Sequence, residues 1–278
     1  DLATSAVSAK QLAILINDGQ GGFPAPATTF PLGAFTGGVV AGDFDKDGFV
    51  DDVAISHGNA ISFVENGTIL HASAVTLTTG VGRLVAGDFD GNGFTDLAGT
   101  TGNLATNDTV EILLATSAFT FGAPQVVTLG DFTTGIGAGD FDGSNGLDLV
   151  VANHFSNNVS FVFNDGTGHF AELVDGGGNP LRIATGGGPI ELAVGDFDGD
   201  GDPDPLTANV YSGAASSVSF LENQGSRTFV ARNLPGLSRT GSVAIADFDR
   251  DGKMDYAIET WSTNAIGLAI FVAQSDGT

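Results

Sequence analysis

"GDFDGDGDPDP" (Gly195–Pro205) places five aspartates, Asp196, Asp198, Asp200, Asp202 and Asp204, within nine residues. Carboxylates that close repel one another and resist burial, so such a stretch calls for cations to compensate it. The chain writes nearly the same sentence four more times: "GDFDKDGFVD" from Gly42, "GDFDGNGFTD" from Gly87, "GDFDGSNGLD" from Gly139 and "ADFDRDGKMD" from Ala246. The leading aspartates are 43, 88, 140, 196 and 247, at steps of 45, 52, 56 and 51 residues. A fixed period of this length marks a repeat architecture.

Each unit reads as three or four short strands. Val39–Phe44 suits a first strand, the acidic stretch loops into a second such as Asp148–Ala152, and Val159–Asn164 suits a third. Asn164-Asp165-Gly166 then signals a hairpin into a fourth. No segment sustains a 3.6-residue apolar period, so helices are expected to be nearly absent. First strands such as "GGVVAGDF" and "GIGAGDF" are small and glycine-rich, as crowding at a common axis requires. Four-stranded units at this period predict an all-β fold, a β-propeller of six or seven blades. The predicted repeats are about 36–78, 79–133, 134–184 and 185–239 within one domain, 1–278. "DLATSAVSAKQLAILINDGQGGF" from Asp1 aligns without a gap on "DLVVANHFSNNVSFVFNDGTGHF" from Asp148. The segments 1–35 and 240–278 are therefore expected to be incomplete end blades, completed by flanking residues or by a partner's strands.

Numbered from its first aspartate, each loop carries oxygen side chains at positions 1, 3, 5 and 9 and usually glycine at 6. Calcium takes six to eight oxygen ligands at about 2.3–2.6 Å, and a tight loop turns alternate side chains toward one point. The expected side-chain ligands are Asp43, Asp45, Asp47 and Asp51; Asp88, Asp90, Asn92 and Asp96; Asp140, Asp142, Ser144 and Asp148; Asp196, Asp198, Asp200 and Asp204; and Asp247, Asp249, Asp251 and Asp255. The position-7 carbonyls of Phe49, Phe94, Gly146, Asp202 and Lys253 are expected to join them. About five calcium ions follow. The third loop departs from the pattern, with Ser144 at position 5 and Asn145 in the glycine position, and is expected to be the weakest site. A helical EF-hand needs glutamate at position 12, where these loops have Ala54, Gly99, Val151, Thr207 and Ile258. That alternative fails in every copy.

The repeated "DFDxDGxxD" loop between two strands resembles the calcium loop of FG-GAP/VCBS repeats, as in the integrin α-chain propeller. The resemblance spans essentially the whole chain. It implies a propeller of about seven blades with calcium loops on one rim and ligands bound on the faces or between blades.

The bulk composition agrees. Of 278 residues 42% are hydrophobic, and 33 acidic residues against 9 basic ones give a formal charge of −24. This excludes the basic patches that nucleic acids and anionic membranes require, and no apolar run reaches spanning length. Without cysteine there are no disulfides and no thiolate sites.

No residue pattern compels an enzyme. His57, His71, His154 and His169 fall at no metal-ligand spacing, and His57 and His154 are expected in surface loops. "DGGGNPLRIATGGGP" (Asp175–Pro189) lacks the Lys-Ser/Thr of a phosphate cradle and reads as a connection between blades. Trp261, Tyr211, Tyr256 and Phe155 could stack on sugars, with packing between blades the commoner role for such residues. Asn66, Asn107 and Asn158 head glycosylation sequons.

The expectation is a secreted, calcium-stabilised, non-catalytic module for adhesion, recognising a glycan or an extracellular protein. Two alternatives stand beside it. One is the propeller domain of a polysaccharide lyase, for which nine basic residues are few. The other is a structural subunit that self-assembles by strand exchange through its incomplete end blades.

Overall fold

The structure, a computed structural model, describes the chain except residues 78, 79, 81, 103–107, 145, 212–217, 235–238, 251, 252, 262–265 and 273–278. The described residues form twenty-five β-strands and no helix. The chain divides into two compact units, Asp1–Gly102 with Val110–Val126, and Asn103–Thr109 with Val127–Thr278.

The first unit opens on a three-stranded sheet, β1 (Leu2–Ala6), β2 (Gln11–Leu15) and β3 (Thr28–Pro31). A four-stranded meander follows: β4 (Thr36–Gly42), β5 (Asp52–His57), β6 (Ala60–Glu65) and β7 (Ile69–Thr76). The third sheet holds β8 (Leu84–Gly87), β9 (Asp96–Thr100), β10 (Thr109–Leu113) and β13 (Gln125–Thr128), interrupted by a small hairpin of β11 (Ala115–Ser117) and β12 (Thr120–Phe121).

The second unit repeats the plan. One sheet joins β14 (Thr133–Gly139), β15 (Asp148–Asn153), β16 (Asn158–Asn164) and β17 (Phe170–Glu172), with β18 (Ile183–Ala184) also on β16. The next runs β19 (Pro189–Gly195), β20 (Asp204–Asn209), β21 (Val218–Asn223) and β22 (Phe229–Leu234). The last has three strands, β23 (Arg239–Ala246), β24 (Asp255–Trp261) and β25 (Ile266–Phe271). Six blade-type sheets result, the first and last with three strands.

Why the blades stack is visible in the second strands. β5, β9, β15 and β20 are buried at every residue, with none of the alternation of a half-exposed strand. Both faces of each of these strands are therefore covered. In the first unit Leu12, Ile14 and Phe30 pack with Val53, Ile55 and Val64 of the next sheet. In the second, Phe161 and Phe163 pack with Leu192 and Leu221. First strands approach closely: a side chain on Gly135 would lie 3.0 Å from the backbone of Glu191 and Leu192. The glycine-rich first strands thus reflect backbone contact between blades, not looseness.

Candidate metal centres

Each acidic loop lies between a first and a second strand, and in four loops the position-9 aspartate is the first residue of the second strand: Asp96, Asp148, Asp204 and Asp255. Its carboxylate is buried and binds backbone amides. The amide of the position-2 phenylalanine donates to it from Phe89 (2.7 Å), Phe141 (3.0 Å), Phe197 (3.2 Å) and Phe248 (2.8 Å). The other oxygen accepts an amide from beyond the third strand or from its end: Ala115 to Asp96 at 2.6 Å, Asn164 to Asp148 at 2.8 Å and Asn223 to Asp204 at 2.8 Å. One carboxylate so ties together the loop, the second strand and the third.

In the first loop this role falls to Asp52 and not to Asp51, which the spacing predicts. Asp52 begins β5, is fully buried and accepts the amides of Phe44 and Asn66, both at 3.0 Å. The loop is one residue longer, and Asp51 is exposed, lining a cleft of about 320 Å³ with Asp1, Val50 and Asn66. Asp1 accepts the amide of Asn17 at 2.8 Å, the same sixteen-residue relation as Asp148 and Asn164.

The remaining carboxylates converge. Oxygens of Asp43, Asp45 and Asp47 lie within 4.8 Å of one another, as do those of Asp88, Asp90 and Asp96; Asp140, Asp142 and Asp148; Asp196, Asp198 and Asp204; and Asp247, Asp249 and Asp255. Three such oxygens could serve one cation. Backbone amides hold the bend: Gly48, Gly93 and Gly201 at position 6 donate to Asp43, Asp88 and Asp196 at 2.8–3.1 Å. At position 5, Asp47, Asn92 and Asp200 instead accept the position-7 amides of Phe49, Phe94 and Asp202. Ser144 donates its amide to Asp140 and Asp142, and a side chain on Gly146 would meet Asn164 and Gly166 at 3.3 Å. Lys253 lies beside the fourth loop, near Gly199. Asp251 lies outside the described residues, as do Asn145 and Asn107.

The electrostatics without a cation are unfavourable. Burial, and then nearby loop carboxylates, pushes Asp96 up to about 6 and Asp148 and Asp204 up to about 7. Asp45 and Asp198, at position 3, are also raised, by burial first and neighbouring aspartates after. Asp142 at the same position goes the other way. Burial opposes the change, but hydrogen bonds from Ser144 and Arg227 hold its carboxyl below the ordinary aspartate value.

The far ends of the second strands carry a different pattern that the sequence did not announce. Asn153 donates to Ser160 and Asn209 to Ser219, each at 3.0 Å, and His57 Nε2 meets Ser62 Oγ at 2.7 Å. His57 and His154 are 5% and 8% exposed, so neither is the surface-loop residue expected. A histidine at a strand end simply has no local signal for burial. Around His154 the rings of Phe132, Phe155 and Tyr211 gather at 4.9–5.5 Å, and Phe155 stacks on Phe132 at 4.7 Å. Phe155 and Tyr211 remain 50% and 48% exposed. They are thus not packed away between blades, whereas Tyr256 is half-buried and stacks on Phe271. The Trp261 side chain is outside the described residues. Gly188, in the left-handed region, abuts this cluster: a side chain there would come within 2.9 Å of the Tyr211 ring. The glycine-rich segment before it contains a turn whose amides, Gly177 and Asn179, bind Asp175.

Comparison with known proteins fits this geometry. Residues 140–207, one acidic loop through the next, match the family described as the FG-GAP-like repeat. No curated protein sequence matches the chain. A functionally unknown protein from Desulfotomaculum acetoxidans is similar in structure at 13% identity and TM-score 0.63, over 96% of this chain and 77% of that one. An Agrocybe aegerita lectin, whose structure concerns recognition of non-reducing terminal N-acetylglucosamine, aligns at 17% identity and TM-score 0.62, over 97% and 72%. BBS1N, in a complex with ARL6DN, aligns at 11% and 0.62, over 96% and 73%. These likenesses establish the fold. Consecutive antiparallel blade-type sheets, five of them with an acidic loop between first and second strands, define a β-propeller protein. Residues 140–207 of that propeller carry an FG-GAP-like repeat.

Proposed function

We propose that the chain is a secreted, calcium-stabilised and non-catalytic binding module that recognises a glycan. The observation that carries the calcium reading is the recurrence, at one place in five blades, of three carboxylate oxygens within 4.8 Å of one another. Oxygen-only donors in a short flexible loop are the chemistry of calcium, not of zinc or copper. The ions would be held by the converging aspartates of each loop, together with Asn92 in the second, and would offset the repulsion that burial of the carboxylate heading the second strand creates.

The glycan reading rests on the exposed rings of Phe155 and Tyr211 beside the buried His154. An aromatic face suits the apolar C–H face of a sugar, and a chain of charge −24 favours a neutral or amino sugar over an acidic one. The lectin among the structural neighbours recognises non-reducing terminal N-acetylglucosamine. In this reading His57 and His154, both buried, and His71, paired with Glu65 at 2.7 Å, carry no catalytic role. A glycan array in millimolar calcium, repeated with Tyr211→Ala, tests the reading. Binding to a defined sugar class that the substitution abolishes supports it. Silence of the folded, unmodified protein contradicts it.

A further inference from the structure

Arg227 sits in the turn between β21 and β22 with φ of 64°. The same turn in two other blades is "NDGQGGF" (Asn17–Phe23) and "NDGTGHF" (Asn164–Phe170), against "NQGSRTF" (Asn223–Phe229). In register, Arg227 replaces Gly21 and Gly168, whose φ values are 84° and 81°. A left-handed backbone suits glycine and disfavours arginine. An arginine in this conformation directs attention to what its side chain contacts.

The side chain reaches the acidic loop of the preceding blade. Nε and Nη2 donate to Oδ2 of Asp142 at 2.9 and 2.6 Å, and the guanidinium lies 4.3 Å from the centre of the Phe163 ring. Next to it, Asn223 donates to the Phe141 carbonyl at 3.0 Å, so two contacts fix the turn against this loop. Asp142 stands at position 3 and, like its counterparts Asp45 and Asp198, accepts the position-5 amide through Oδ1, while Arg227 takes Oδ2. The loop Arg227 enters is also the one with serine in place of aspartate at position 5.

We infer that Arg227 is the resident cation of the third loop, standing in place of the calcium that the other loops take. This rests on the calcium reading above. A guanidinium bonded to Oδ2 of Asp142 uses a carboxylate oxygen that calcium would need, and adds a positive charge beside the ion's position. With Ser144 neutral, the loop keeps only Asp140 and Asp148 as further carboxylates. The loops led by Asp43, Asp88, Asp196 and Asp247 remain for calcium, four ions rather than five.

Native mass spectrometry of the full chain in calcium counts the ions directly. The unmodified protein is expected to carry four and Arg227→Gly five, since glycine suits this backbone and frees Asp142. Asp142→Asn alone should leave four, and combined with Arg227→Gly should return five to four. Thermal unfolding confirms that each variant is folded. Five ions in the unmodified protein, four in Arg227→Gly, or a loss of one ion in Asp142→Asn each overturns the assignment while leaving calcium binding intact. No ion in any form overturns both.

Discussion

Asp52 accepts the amide of Phe44 at 3.0 Å from eight residues away, where the other four loops close over seven. The carboxylate at the head of the second strand is therefore the fixed point of each blade, and loop length adjusts around it. Asp52→Ala would leave two amides, of Phe44 and Asn66, without their partner. Each costs about 1–3 kcal/mol when buried. Denaturant unfolding should show a loss of roughly 2–6 kcal/mol for Asp52→Ala and within about 0.5 kcal/mol for Asp51→Ala. Equal effects would mean that the two aspartates share the role.

The raised carboxyls give the metal-free chain an unusual pH dependence. Asp96, Asp148 and Asp204 bind protons more tightly folded, at about 6 to 7, than an ordinary aspartate near 3.8. Between these values the folded state holds more protons than the unfolded one, so stability falls as pH rises. In chelator the chain should be more stable near pH 5 than at pH 7.5. In calcium Asp96 and Asp204 are held ionised, and the decline should shrink to the share that Asp148 contributes. Urea midpoints measured at both pH values, with and without calcium, check this.

First strands that touch through glycine give a third expectation. In Gly135→Ala the new methyl meets the backbone of Glu191 and Leu192 at 3.0 Å, which cannot rotate away. A destabilisation of about 1–3 kcal/mol is expected, by overpacking. Gly143→Ala, with φ of 72° but nothing within 4 Å, should cost only about 1 kcal/mol, from backbone strain alone. Thermal unfolding of the two variants separates the causes.

Much of the fold was legible because it is local and repeated. An acidic loop bounded by two apolar runs announces itself five times, and the observed strands Asp148–Asn153 and Asn158–Asn164 differ from the expected ones by a residue. What stayed hidden depends on comparison or distance. "VDDV" offers two adjacent aspartates, and only the strand's register decides that Asp52 is the buried one. Arg227 and Asp142 are 85 residues apart, so no spacing rule connects them. Aligning the hairpins would have exposed the substitution of arginine for glycine. The grouping of Phe132, His154, Phe155 and Tyr211 likewise forms only when neighbouring blades bring separate strand ends together.

The central claim is that the acidic loops are calcium cages that hold the blades. Thermal unfolding at about 1 mM calcium, against the same protein in chelator, tests it most directly. At dissociation constants of about 10⁻⁴–10⁻³ M, each site contributes roughly 0.4–1.4 kcal/mol and four give roughly 2–6. For a chain of this size that corresponds to a rise in Tm of roughly 3–10 °C, which magnesium should not reproduce. Superimposable curves with and without calcium would contradict the account.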